Sequence, residues 1–182
     1  MEKFKIITGN IVDDDILKLG DAIVLPTNPM MRCGAGVSGA IFKKAGVDAL
    51  EKYTERAFGI SYYDLSRKNE MKPAQVRVTP GFELPCDIIF AQGPKAYQYK
   101  CFDDALALLL RTYRNVLETA VSRGYQAILM PALGTGTYGF GHKETAEPVV
   151  NLIQDFVESN ELTVYLVLYE SGIDTLYRKY MK

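Results

Sequence analysis

Gly34, Gly36 and Gly39 stand in G-x-G-x-x-G spacing within the stretch MMRCGAGVSGAIF. Residues of this type do their chemistry through the backbone. Without a Cβ, Gly34 and Gly36 let main-chain amides approach a ligand closely and permit positive φ. A helix beginning near Val37 would add unpaired N–H groups and the positive end of its dipole, a ready site for a phosphate. The alternative is a merely flexible loop in which Gly39 packs a helix against a strand.

A second segment, PALGTGTYGFG (131–141), places Gly134, Gly136, Gly139 and Gly141 between an apolar run and a helical one. Two glycine-rich turns after two buried strands would meet at the carboxyl edge of a sheet, where open α/β sheets bind ligands. One such loop grips a phosphate; two facing loops clamp a diphosphate. Thr135 and Thr137 supply hydroxyl donors, and Tyr138 and Phe140 offer walls for a sugar or base.

The first glycine pattern imitates a dinucleotide-binding turn but lacks its context. In that turn the first glycine follows its strand at once, and an acid about 20 residues on holds the ribose. Here Pro26 to Cys33 intervene, and the stretch KYTERAF at the required distance is helical, which removes Glu55 from any strand end. An NAD or nucleotide-sugar oxidoreductase therefore ranks last.

The elements that must position these loops alternate. Strands are expected at FKIITG (4–9), DAIVLP (21–26), QVRVTP (75–80), CDIIFAQ (86–92), AILMPA (127–132) and TVYLVLY (163–169). Helical spacing covers the DDDILKLG segment, about 37–45 (ended by Gly46), VDALEKYTERAF up to Gly59, the stretch from Phe102 to Gly124, 143–158, and a short piece through Leu176 and Tyr180. Phe102, Ala105, Leu106, Leu109, Tyr113, Val116, Leu117, Ala120 and Val121 form the apolar face of the longest helix. Residues 60–74 read as a surface connection. The pattern is that of an α/β protein with a mixed or mostly parallel sheet between helix layers.

Length and composition narrow the function. The 182 residues fit one domain, 1–182, with 48% apolar and 24% charged residues. Lys plus Arg total 21 against 22 acids, giving a net charge of -1 and no broad positive field for nucleic acid. Arg178, Lys179 and Lys182 read as a solvated helix end. Cys33, Cys86 and Cys101 share no C-x-x-C spacing and His142 is the sole histidine, so neither a zinc cluster nor a disulfide framework is expected. His142 is read as a helix-start residue without a catalytic role. No signal peptide or membrane span is visible, so a cytoplasmic location, no membrane partner, no metal and no cofactor are expected.

Taken together, DAIVLPTNPMMRCGAGVSGAIFKKAG, PALGTGTYGFG, the Gly/Pro-punctuated KPAQVRVTPGFELPCDIIFAQGPKAY and the final LVLYE resemble the macrodomain, the ADP-ribose-binding module, over essentially the whole chain. The resemblance implies a three-layer α/β/α sandwich around a central mixed, mostly parallel sheet. It implies that the backbones of Gly34, Ala35, Gly36 and Val37 and of Gly134, Thr135, Gly136, Thr137 and Tyr138 hold the diphosphate. Asn28 then bonds the distal ribose, Phe140 lies against it, and Ile11 and Tyr169 flank the adenine. Ordinary packing for Ile11 and Tyr169, and capping of its own turn by Asn28, are the alternatives.

Departures from the family pattern bear on activity. Ser38 occupies the place of an Asp that orients water in hydrolytic members, and a neutral hydroxyl is no comparable base near pH 7. Its expected part is to cap the helix start. Leu25 replaces the first Asn of the usual Asn-x-x-Asn pair. Asn10 stands where an acid commonly reads adenine, and its amide can still hydrogen-bond the base. Cys33 and Ala35 replace loop glycines. Some members lacking the Asp, notably viral ones, still remove ADP-ribose from acidic side chains, leaning on the Asn, the glycine amides and the substrate's diphosphate.

The leading reading is a hydrolase releasing ADP-ribose from mono-ADP-ribosylated proteins or from O-acetyl-ADP-ribose, with turnover dependent on Asn28. The alternative is a non-catalytic reader of ADP-ribose or a related nucleotide. The partner in either case is ADP-ribose or an ADP-ribosylated protein.

Overall fold

The computed structural model describes residues 2–182. Its sheet is built from the apolar runs the sequence shows: β1 (Phe4–Thr8), β2 (Ala22–Pro26), β3 (Val76–Thr79), β4 (Asp87–Ala91), β5 (Ala127–Pro131) and β6 (Thr163–Leu168). The order across the sheet is β1-β6-β5-β2-β4-β3. Every neighbouring pair is parallel except β3, which runs antiparallel to β4 at the edge. The inner strands are continuous apolar runs because a parallel strand between helix layers is covered on both faces.

Among the described residues six α-helices supply those layers: α1 (Asp14–Leu17), α2 (Gly36–Ala45), α3 (Val47–Phe58), α4 (Phe102–Ser122), α5 (His142–Glu158) and α6 (Ile173–Arg178). The two-residue pleat of β2 divides its side chains between them. Ala22 and Val24 pack with Leu109, Tyr113 and Val150 of α4 and α5. Ile23 and Leu25 pack with Leu17, Ile41, Phe42 and Leu50 of α1, α2 and α3. A mixed, mostly parallel sheet between two helix layers is the three-layer α/β/α sandwich.

Four details differ from the expectations. Phe102 and Val121, near the two ends of α4, are exposed at 40% and 39%, so the apolar face is covered only along the middle of the helix. A short 3-10 turn, Ala96–Gln98, follows β4, and three residues are too few to leave a periodic signal. Residues 60–74 hold no regular element, yet Ile60, Met71 and Ala74 are buried, so this connection contributes to the core. Helix α2 begins one residue before Val37, at Gly36. Gly59, in the left-handed region at φ 65°, ends α3 as anticipated. Among the described residues no helix is long and apolar enough to cross a membrane.

Candidate functional site at the carboxyl edge of the sheet

The chain leaves β2 for α2 on one face and leaves β5 for α5 on the other, although the two strands are parallel neighbours. Adjacent parallel strands whose continuations part to opposite faces open a crevice between their carboxyl ends. Both glycine-rich loops rise from that crevice. Asn10 and Ile11 follow β1, and Tyr169 follows β6, so the carboxyl ends of four adjacent strands carry all the residues expected to touch a ligand. Gly9 N–H donates to the carbonyl of Leu168 at 2.9 Å and ties the β1 and β6 ends together.

Those residues differ in what they face. Ile11 is 4% exposed and belongs to the core beside Val167, whereas Tyr169 is 74% exposed. Only Tyr169 of this pair stands in solvent. The Asn10 side-chain Oδ1 accepts from Val12 N–H at 3.3 Å and the Asn10 main-chain carbonyl accepts from Asp13 N–H at 2.9 Å, a turn leading into α1.

In the first loop, Asn28 Oδ1 accepts from Arg32 N–H at 3.1 Å and its Nδ2 donates to Arg32 C=O at 2.9 Å. The side chain therefore closes its own turn while keeping a second amide hydrogen free. Gly34, Ala35 and Gly36 are exposed, and Gly36 has φ 60°. Helix α2 has no acid in its first turn and Lys43 and Lys44 in its last, so nothing on the helix offsets the positive dipole end at the loop.

Ser38 does not cap this helix. The capping position belongs to Ala35, which makes no side-chain cap bond, and Ser38 is the third helical residue. Its hydroxyl is buried without a hydrogen-bond partner. It lies on the Gly34 side of the helix, 3.6 Å from where a Cβ on Gly34 would stand, with Asn28 Nδ2 at 3.8 Å from the same point. Gly39 packs against the loop and not against a strand: a Cβ there would collide with the Gly34 carbonyl.

In the second loop, Gly134 and Gly139 have φ 79° and 84°. Phe140 N–H donates to Gly134 C=O at 3.0 Å, and Thr135 Oγ1 donates to Ala132 C=O at 2.9 Å. Gly136 and Thr137 are exposed, and a Cβ on Gly136 would meet nothing within 4 Å. Phe140 turns away from the opening: it is 2% exposed and packs against Phe102 with ring centroids 5.8 Å apart. Behind the loop, the Tyr113 hydroxyl accepts from Leu133 N–H at 2.7 Å. Burial holds that phenol well above its usual pKa, so it stays protonated.

Tyr138 joins the pieces. Its hydroxyl donates to Thr27 C=O at 3.2 Å and accepts from Gln92 Nε2 at 3.3 Å. Its own carbonyl accepts from Ala96 N–H at 2.8 Å, and the Lys95 ammonium stands 5.5 Å from its ring centre. One side chain thus braces the β5 loop to those after β2 and β4.

A Macro domain family model matches residues 24–149, the span holding both glycine loops and the crevice between them. The chain belongs to the macrodomain family. The O-acetyl-ADP-ribose deacetylase of Citrobacter rodentium is 32% identical over 175 residues, covering 93% of each chain. A Macro domain-containing protein of Methanosarcina mazei is 34% identical over 163 residues, covering 87% of this chain and 80% of its own. A solved structure of an Oceanobacillus iheyensis macrodomain mutant with ADPR superposes with a TM-score of 0.80 at 28% identity, covering 96% of this chain and 89% of that one.

Three polar residues beside the crevice in this macrodomain were not expected from the sequence: the buried Arg32, the partly exposed Glu51 and the buried Gln92. Arg32 is 4% exposed; its Nη2 bonds Glu55 Oε1 at 2.6 Å, and its Nη1 lies 3.8 Å from Glu51 Oε2. Glu51 Oε1 also accepts from Cys33 N–H at 2.9 Å. Gln92 is 3% exposed and its Oε1 has no partner. Glu51 and Glu55, one helical turn apart and facing a loop with a single arginine, were the available signal for the first two. Gln92 sits at the end of an apolar strand and gave none. His142 Nδ1 lies 2.9 Å from the Tyr177 hydroxyl, which fastens the start of α5 to α6.

Proposed function

We propose that this macrodomain binds ADP-ribose in the crevice between β2 and β5 and hydrolyses it from mono-ADP-ribosylated acidic side chains or from O-acetyl-ADP-ribose. One observation carries the reading: two glycine loops with exposed amides face each other where the sheet's connections diverge, one of them opening the unneutralised N-terminus of α2. The deacetylase of C. rodentium and the ADPR held by the O. iheyensis relative support the same ligand.

On this reading the amides of Gly34, Ala35, Gly36 and Val37 and of Gly134 to Tyr138 take the diphosphate. Asn10 and Tyr169 serve the adenine end, and Ile11 supports it from the core. Asn28 offers its free amide hydrogen to the terminal ribose. Phe140 acts as the floor of the second loop. The whole of residues 1–182 works as one such unit, in the cytoplasm.

The chemistry fits a good leaving group. On O-acetyl-ADP-ribose water adds to the acetyl carbon and the ribose oxygen leaves, taking up the proton that water gives. On an acidic side chain joined at the anomeric carbon, water adds to that carbon, the carbon–oxygen bond breaks and a carboxylate of pKa about 4 leaves. Such a carboxylate departs without prior protonation, so the site needs oriented donors more than a strong acid. Asn28, the loop amides and the ligand's own diphosphate supply that orientation.

One observation favours the second reading, a non-catalytic reader: the Ser38 hydroxyl, where hydrolytic members resembling this chain carry an acid, is neutral and buried. Titration with ADP-ribose, followed by challenge of the same sample with a mono-ADP-ribosylated protein, separates them. Release of ADP-ribose dependent on Asn28 identifies the hydrolase; binding without release identifies the reader.

A further inference from the structure

The residue whose main chain holds Asn28 is a buried arginine, itself held by ion pairs to partly exposed carboxylates of α3. Both side-chain bonds of Asn28 end on the backbone of Arg32, one on its N–H and one on its C=O. The Arg32 side chain is 5% accessible, although it springs from a loop. It reaches α3 through Glu55 at 2.6 Å and donates to the main-chain oxygen of Glu51 at 3.4 Å, and the Tyr62 ring covers it at 4.5 Å from the guanidinium carbon. The Glu51 carboxylate, facing the same guanidinium, takes the next amide along the loop, Cys33 N–H.

Two consecutive residues of the first loop are therefore pinned to α3 by charge, and Asn28 is hung on the first of them. A buried guanidinium is costly to hold unless it is paired; in Arg32 both Nη atoms find partners on α3 while Nε has none. The planar fork reaches both glutamates from one rigid group, where a lysine ammonium is a single point charge. Truncating Arg32 frees its backbone to move, and Asn28 moves with it.

We propose that Arg32, clamped by Glu51 and Glu55, is a positioning residue that sets the orientation of the Asn28 amide toward the terminal ribose of the ligand. The proposal rests on the ADP-ribose reading of the site. It differs from a general stabilising role in one respect: it predicts selective damage. ADP shares the adenine and diphosphate of ADP-ribose but lacks the terminal ribose, so it makes no use of Asn28.

The test measures ADP-ribose and ADP affinity calorimetrically for the wild type and for Asn28→Ala, Arg32→Lys, Arg32→Met and Glu51→Gln, with thermal unfolding alongside. Arg32→Met is expected to weaken ADP-ribose about tenfold, one hydrogen bond's worth, with ADP affinity unchanged. Asn28→Ala gives the same selective loss, and adding Arg32→Met to it gives none further. Arg32→Lys retains the charge without the fork and falls between. Equal weakening of both ligands in the Arg32 variants, or a lower unfolding temperature with both affinities intact, overturns the proposal. Undiminished preference for ADP-ribose in Asn28→Ala also overturns it, because the effect is routed through Asn28. A wild type that binds neither ligand refutes the reading of the site itself. Glu51→Gln, which keeps an oxygen for Cys33 N–H, covers the case in which Arg32→Met does not fold.

Discussion

The Tyr138 hydroxyl donates to the main-chain oxygen of Thr27 at 3.2 Å, 111 residues away along the chain, and so spans the crevice between the two glycine loops. The side chain acts on the spacing of the loops as well as on whatever lies between them.

Replacement of Tyr138 by Phe keeps the ring and removes the bonds to Thr27 and Gln92. The expected cost is about 1 kcal/mol of ADP-ribose binding, or about a fivefold rise in Kd by calorimetry. An unchanged Kd means that the loops keep their spacing without this brace.

Ser38→Ala removes a buried hydroxyl that makes no hydrogen bond. Deleting an unsatisfied polar group is neutral or stabilising, by up to about 1 kcal/mol, in urea unfolding. A loss of more than this would reveal a bond that the hydroxyl makes in solution.

Gly39→Ala and Gly36→Ala separate packing from ligand approach. A Cβ at 39 drives into the Gly34 carbonyl, so destabilisation of about 2 kcal/mol is expected. At 36 a Cβ meets nothing within 4 Å, and the φ of 60° costs only about 1 kcal/mol. The second variant is expected to fold and to bind ADP-ribose more weakly than its small stability loss accounts for. Chemical denaturation and titration of both proteins check the contrast.

Stability is expected to fall in alkali. Burial, with Asp87 and Asp21 adding repulsion, pushes the Cys86 thiol from 9.0 to about 12, and burial raises Tyr177 from 10.0 to about 12. The unfolded chain thus releases these protons first. The stabilising contribution is intact below pH 9, shrinks as pH rises above that value, and is lost by about 12. Denaturation curves from pH 7 to 11 check this, and Cys86→Ala is expected to flatten the decline above pH 9. A steeper decline in that variant would contradict the assignment. In the native state Cys33 and Cys101 are expected to react with a thiol reagent before the buried Cys86.

The inner strands were legible because covered parallel strands are written as unbroken apolar runs, as in AILMP and DIIFA. Both glycine loops were legible because backbone chemistry leaves a residue-type signature. What failed concerned direction. Phe140 looks like a wall for a sugar, but the tight turn at Gly134 folds its ring into the core, 2.8 Å from where a Gly134 Cβ would stand. Ser38 looks like a cap, but Ala35, with extended backbone at φ -96° and ψ 173°, starts the helix, which leaves Ser38 three positions past the cap. Arg32 carries no local pattern, since its partners Glu51 and Glu55 lie 19 and 23 residues away and meet it only in the folded chain.

The central claim is that the crevice between β2 and β5 takes ADP-ribose. Calorimetric titration of the purified chain with ADP-ribose tests it most directly. Saturable binding of one ligand per chain is the predicted result, lost when Gly36 is replaced by a bulkier residue. No heat of binding up to high micromolar ADP-ribose would contradict it.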